Sequence, residues 1–298
     1  MYLVFDIGGT YVKYALIDRA GKMQTKNSFP TPESIELLLK NMTEVYKENV
    51  IKVKGIAISC PGTVDVTTGV IYHGGALSYL HKQNLVELLK ERCKIPITVE
   101  NDAKSAALAE LWLGSVKGHN NAIVLVLGSH VGGGIIIDGK IYCGKNLSAG
   151  EVSYVMNHMD ASSLKADFLG FTGSAVMMVK DIAKKKGVEA SGHHVFDFIN
   201  KKDPEATVIF EQYCLQLAIQ ILNFQYIFDP DVIAIGGGIS AQPIVVETIR
   251  EAIDKIKINN PMHNANPTVV TCKFQNDANL FGALYNFFEI QQEKSLVV

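Results

Sequence analysis

From its first residues the chain alternates short blocks of apolar and mixed positions. "YLVFDIG" and "YVKYALID" read as two strands joined by a glycine turn, and "PESIELLLKNMTEVYKEN" carries the i, i+3, i+4 apolar spacing of an amphipathic helix. "IKVKGIAIS" then predicts a strand, "NLVELLKERC" a helix, "IPITVE" a strand and "AKSAALAELWLGS" a helix. Strands alternating with helices behind an initial antiparallel hairpin predict an α/β fold in three layers.

The pattern restarts at "NAIVLVLGSHVGGGIIIDGKIY", a second strand, turn and strand. Helices are predicted over 173–186 and 205–228, a strand in "DVIAI" before three glycines, a helix over about 243–257, a strand in "TVVTCKF" and a last helix from about Ala278. Setting Ile7 against Leu127 at a constant offset pairs Gly8 with Gly128 and Asp18 with Asp138. Such self-similarity predicts two related lobes, 1–117 and 118–298, cut within "GSVKGHNN". The long helix ending near Phe228 and the last helix are expected to fasten them, the last one by packing back on the N-terminal lobe.

Composition narrows the class. With 298 residues, 48% apolar and 19% charged, the chain is expected to be soluble and globular. A net charge of −2 without a Lys/Arg stripe offers no footprint for nucleic acid or a membrane surface, which leaves small molecules as the expected partners. The longest apolar runs are too short to span a bilayer, and Met1 leads directly into a strand, so a cytoplasmic location is expected. Cys60, Cys93, Cys143, Cys214 and Cys272 lack C-x-x-C spacing and are expected to be reduced core thiols.

Five stretches carry candidate chemistry. A strand that stops at Asp6 and turns through Gly8, Gly9 and Thr10 exposes backbone amides to an anion, with Asp6 beside a phosphate-bound Mg²⁺; the alternative is an ordinary hairpin with a solvated aspartate. The recurrence "LGSHVGGG" supplies Gly128, Ser129, Gly132, Gly133 and Gly134 as a second turn of the same kind, so that two turns would clasp one polyphosphate. Gly236, Gly237 and Gly238 follow a strand and precede a helix, an arrangement suited to a nucleotide, while the absence of G-x-G-x-x-G favours ATP over NAD. In "VENDAKSAALAELWLG", Asn101 and Asp102 stand between a strand and a helix, where Asp102 is either a helix cap or the base for a hydroxyl nucleophile. Glu151 and Tyr154 in "SAGEVSY" follow a glycine loop, where a carboxylate can read two sugar hydroxyls or be a plain surface group. His158, His193 and His194 have no ligand-spaced partners and read as surface residues.

In order and spacing, "DIGGTYVKYALID", "ISCPGTVD", "VENDAKSAALAELWLG", "LGSHVGGGIIIDGKIYCG", "SAGEVSY", "VIAIGGGIS" and "NDANLFGALYNFF" resemble the ROK family of sugar kinases. The resemblance implies the two-lobed, actin-like (ribonuclease H-like) ATPase fold and transfer of the γ-phosphate of Mg-ATP to a sugar hydroxyl. It implies Asp102 as catalytic base, Asn101, Glu151 and Tyr154 at the sugar, and the three glycine turns at the nucleotide, with Asp6 near Mg²⁺.

Three departures qualify this. His130 replaces a glycine of the family's second turn. Tyr154 stands where a histidine usually touches the sugar. "MNHMDASSLKADFLGFTGSAVMM" occupies the place of a cysteine-rich zinc motif, so no structural zinc is expected; the motif's sugar-binding glutamate is replaced by Phe168, with Asp167 beside it as a substitute. Without the zinc motif and at this length the chain looks most like the β-glucoside kinases, and "GGALSYL" at 74–80 resembles their sugar-side loop. Alternatives are a kinase for N-acetylated hexosamines and a sugar-binding regulatory protein without catalysis. The regulators carry a DNA-binding extension ahead of the first turn, for which Asp6 leaves no room, and a pure binder needs no base. A homodimer is the assembly considered.

Overall fold

In the computed structural model, residues 1–296 are described, with side chains as far as Gln292. In chain order the elements are β1 (Tyr2–Ile7), β2 (Tyr11–Ile17), β3 (Met23–Pro30), α1 (Ile35–Asn49), β4 (Ile56–Cys60), β5 (Thr63–Asp65), β6 (Val70–His73), β7 (Gln83–Asn84), α2 (Leu85–Cys93), β8 (Ile97–Asn101) and α3 (Asp102–Leu113). There follow β9 (Ala122–Leu127), β10 (Val131–Ile137), β11 (Lys140–Ile141), β12 (Met156–Met159), β13 (Ala166–Phe168), α4 (Leu169–Thr172), α5 (Ala175–Lys186), α6 (Gly192–Asn200) and α7 (Pro204–Phe228). β14 (Val232–Gly236), α8 (Pro243–Asn259), β15 (Val269–Thr271) and α9 (Ala278–Leu296) complete the chain.

Two five-stranded sheets each organise one compact unit. The first unit comprises residues 1–113, 143–148 and those from 277 on; the second comprises 114–142 and 149–276. The boundaries therefore interleave instead of meeting at one cut near residue 117.

Contacts decide this. Alternate residues of the first sheet face two cores: Leu3, Phe5, Ile58 and Val99 meet α1 and α2, while Val4, Ala15, Ile17 and Ala57 meet Leu280, Ala283, Leu284 and Phe287 of α9. α9 also crosses α3 so closely that a Cβ at Gly282 would fall on the Ser105 carbonyl. Trp112 stacks on Tyr285 at 5.7 Å beside that crossing. Without α9 the second face of this sheet would lie open to water.

The first sheet runs β3-β2-β1-β4-β8, with β2 antiparallel to both neighbours and β1, β4 and β8 parallel. The second runs β11-β10-β9-β14-β15 with the same succession of orientations. Its core joins Leu125, Leu127 and Val131 to Met178 and Ile182 of α5, Phe210 and Leu217 of α7 and Val245 and Ile249 of α8.

Several elements differ from the sequence reading. The helix expected over 173–186 is α5, which begins only at Ala175 because Ser174 caps it by accepting from the Met177 amide at 3.2 Å, and the single turn α4 ahead of Gly173 is additional. α6, the small sheet β5-β6-β7 and the hairpin β12-β13 are additional. Among the described residues no helix is long and apolar enough to cross a membrane. All five cysteines are free thiols, four of them buried.

Candidate active site

Strand register puts Lys13, Asp6, Ser59 and Glu100 in one row across β2, β1, β4 and β8, at the carboxyl ends of the three parallel strands. By alternation the row lies on the face that α9 covers. Asp6 is only 6% exposed. Its Oδ1 accepts from Asn279 Nδ2 at 3.0 Å and its Oδ2 lies 3.5 Å from Lys13 Nζ.

Beyond Asp6 the chain turns. Gly8 N donates to the Tyr11 carbonyl at 3.1 Å, and Thr31 Oγ1 donates to the Gly8 carbonyl at 2.6 Å. The exposed amides of Gly9 and Thr10 have no acceptor among the described residues. A neighbouring loop closes on this turn: a Cβ at Gly9 would lie 3.8 Å from that of Ala76, and Gly75 packs on Pro61 and Gly62. Gly62 has φ +102 and no room for a Cβ against the His73 carbonyl, which fixes a glycine there.

Gly62 connects the turn to the Asn101–Asp102 junction, since its carbonyl accepts from Asn101 Nδ2 at 2.9 Å. The same Nδ2 donates to Asp102 Oδ1 at 3.0 Å, and Asn101 Oδ1 accepts from the Lys104 amide at 3.0 Å. Asn101 therefore performs the capping of α3 that the sequence allowed for Asp102. Asp102 Oδ1 also accepts from the Ala103 amide at 2.8 Å.

Behind the junction Glu100 is fully buried, and its Oε1 accepts from the Asn101 amide at 2.7 Å. Burial pushes its carboxyl up to about 7, against the opposing pull of that amide and of Lys104. The Cys60 thiol is pushed well up by burial and by the charges of Asp102, Glu100 and Asp6.

In the second unit, Gly128, Ser129 and His130 turn between β9 and β10, with Gly128 N donating to the His130 carbonyl at 3.0 Å. Ser174 Oγ donates to the Ser129 carbonyl at 2.7 Å, and the His130 ring meets Phe171 edge-on at 5.5 Å. Gly132, Gly133 and Gly134 are not part of this turn. They lie in β10, paired with Val126, Leu125 and Val124. The physical reason is a close backbone approach: a Cβ at Gly133 would come within 2.6 Å of the Gly150 carbonyl oxygen, in the loop that carries Glu151.

Glu151 precedes the 3₁₀ turn Val152–Tyr154 and is half-buried; Tyr154 is 74% exposed. Asp167 is exposed on β13 and lines a pocket of about 760 Å³ with Phe171, Met177, Tyr213 and Gln216, a pocket whose lining includes neither Glu151 nor Tyr154. Gly236 ends β14. Gly237, at φ +94, presses its bare Cα on the Leu127 carbonyl at the mouth of the second turn, whereas Gly238 faces open space.

The segment 156–168 is a hairpin held by polar side chains. Asp160 Oδ1 accepts from the amides and hydroxyls of Ser162 and Ser163, which hold its carboxyl down at about 2. Asn157 donates to Gln216 at 3.3 Å and accepts from Gln220 at 2.6 Å on α7. Among the described residues no group of three or more His, Cys, Asp or Glu is placed to hold a metal. His158, His193 and His194 are exposed.

The sequence reading missed Thr31 and Ser174, which pin the two turns, and Glu100 beneath the junction. Ser174 had a signal, a serine directly before an apolar helical run. Glu100 stands beside the motif but gains its meaning only from burial.

Over residues 2–289 the chain matches the ROK family. It is 29% identical to a β-glucoside kinase of Listeria monocytogenes across 96% of both chains. A solved ROK family protein of Streptococcus pneumoniae in complex with sucrose is 30% identical, with a TM-score of 0.88 over 98% of this chain and 99% of that one. A glucokinase of Streptomyces griseus, solved with glucose and AMPPNP, shares the fold at 23% identity, with a TM-score of 0.78 over 95% and 97% of the two chains.

Proposed function

Because this chain belongs to the ROK family and has its two-lobed, actin-like fold, we infer that it is an ATP-dependent sugar kinase, transferring the γ-phosphoryl group of ATP to a hydroxyl of a hexose or β-glucoside. The observation that carries this is the strand-to-helix junction at Asn101 and Asp102. Asn101 caps α3 and ties itself to Gly62, so the Asp102 carboxylate is held by one amide and one side chain at the end of a strand. An oriented aspartate of this kind accepts the proton of an attacking hydroxyl.

Mg-ATP supplies the transferable phosphoryl group and offsets its charge. The residues present suit such a ligand: the amides of Gly9 and Thr10 find no acceptor among the described residues, and the buried Asp6 carboxylate stands at the foot of their turn. In the second unit, Gly128, Ser129 and Gly236 to Gly238 are assigned to the nucleotide. Gly132 to Gly134 are assigned instead to shaping the strand beside the Glu151 loop.

Glu151 is assigned to sugar hydroxyls. A β-glucoside carries a substituent on its anomeric oxygen, and the likeness to the Listeria β-glucoside kinase supports an acceptor of that class. Free thiols are in keeping with the cytoplasm.

An ADP-release assay over glucose, fructose, N-acetylated hexosamines and β-linked disaccharides tests this. Mg²⁺-dependent turnover with glucose or a β-linked disaccharide is expected. Turnover with N-acetylated hexosamines alone would replace the acceptor assignment, and sugar binding without ADP release would overturn the kinase reading.

A further inference from the structure

We propose that Glu100 is a positioning residue for phosphoryl transfer, its buried carboxyl holding the backbone from which Asn101 and Asp102 are aimed. This rests on Asp102 being the base, and the test below separates the two.

The hydrogen bonds form a sequence with Glu100 at its root. Glu100 Oε1 fixes the Asn101 amide at 2.7 Å. Asn101 is then held through its side chain by the Lys104 amide and the Gly62 carbonyl, and the same side chain holds Asp102 Oδ1 at 3.0 Å. Displacing the Asn101 backbone thus moves the carboxylate of Asp102, and small misplacements of a reacting group cost rate more than affinity.

Packing gives no reason for a carboxyl here. Glu100 is 0% exposed, and burying a carboxyl is costly unless it is fully bonded. Its Oε2 has no hydrogen-bond partner among the described residues. Nor have Ser59 Oγ, opposite Glu100 in the register, Thr98 Oγ1, two residues back on the same face, and Ser105 Oγ on α3. One oxygen of the carboxyl is committed to the junction, and the other has no hydrogen-bond partner among the described residues to lock either charge state.

The charged and titratable groups around it come from each neighbouring strand and from α3. They are Asp6 beyond Ser59, with Lys13 beyond Asp6, and Cys60 on β4; Asp102 and Lys104 lie on α3, and Asn279 is the polar group that α9 brings to Asp6. Burial places the carboxyl's ionisation at about 7, so it is neutral below that pH and anionic above it. The anion binds the Asn101 amide more strongly and so holds the backbone that aims Asp102 more firmly, and turnover should rise through neutrality.

Two measurements test the proposal. The first is kcat against pH, at saturating sugar and Mg-ATP, for wild type, Glu100→Gln and Glu100→Ala, with KM values at about pH 8. Glu100→Gln keeps an acceptor for the Asn101 amide and loses the charge. Its kcat should be flat through about pH 6–8 and ~3–10-fold below wild type at the upper end, with both KM values within about twofold. Glu100→Ala should lose more kcat than Gln. A Gln profile superimposing on wild type, or a rise in KM at unchanged kcat, would overturn the proposal.

The second measurement needs no activity and no Ala variant: the Asn101 and Asp102 amide resonances of the wild type, followed by NMR from about pH 6 to 8, should titrate together and stop doing so in Glu100→Gln. Should the wild type phosphorylate no sugar, the kinase reading falls while this titration still decides the clamp. Stationary amides would overturn the clamp whatever the activity.

Discussion

The two five-stranded sheets share strand order and orientation, yet the ends of their parallel strands carry different chemistry. Across the first runs Lys13, Asp6, Ser59 and Glu100; across the second, at the matching level, run Gly132, Val126 and Gly236. The first row holds carboxylates, and the second is bare backbone with one apolar side chain. Acid–base work and metal neighbours need ionisable groups held rigid, whereas a polyphosphate or a purine needs close approach to amides, which side chains would obstruct. The turns differ in their fastening as well: Thr31 pins the first from a strand end, and Ser174 pins the second from a helix cap.

The sharpest test of this division is Asp102→Asn, which keeps shape but cannot take a proton. Turnover should fall by ~10²–10⁴ with ATP affinity unchanged, measured by ADP release and calorimetry. Near-full kcat would remove the chemistry from the first sheet.

Next in size is a pH effect confined to the first sheet. Glu100 ionises at about 7 when folded against a reference of 4.5, so its neutral form favours folding. The folded state should therefore lose stability as pH rises from about 4.5 to about 7, by about 3 kcal/mol in all. In urea unfolding at pH 5 and pH 8, Glu100→Gln should remove that part of the slope, and an unchanged slope would contradict it.

Gly237→Ala probes the second sheet. With φ +94 and no space against the Leu127 carbonyl, the added methyl should shift the glycine turn. ATP binding should weaken ~10-fold with sugar affinity held within about twofold. Equal losses for both ligands would blur the contrast.

The smallest expected effect concerns the pins. Ser174→Ala and Thr31→Val should each lower stability by ~1 kcal/mol in chemical denaturation. A difference between them should follow the extra cap that Ser174 provides to α5.

Much of this was legible in the sequence. The strand-turn-strand repeat showed because both copies alternate on the same period and turn on glycines, and the junction at Asn101 showed because β8 ends in polar residues just before an alanine-rich helix. The assignment of Gly132 to Gly134 to a turn followed glycine's usual place; their place in β10 depends on Gly150, a partner distant in sequence. α6 begins with a glycine and two histidines, which masks the helical spacing of Val195, Phe196 and Ile199. The capping role of Asn101 could not be told from that of its neighbour, because both side chains have the required oxygen.

The packing of α9 sets an order of events during synthesis. Val4, Ala15 and Ala57 leave the ribosome long before the residues that cover them, Leu280, Ala283, Leu284 and Phe287. The second unit has its whole sequence available by residue 276. It can close its core while the first sheet still shows one apolar face to water, a face open to chaperones and to neighbouring nascent chains until α9 docks.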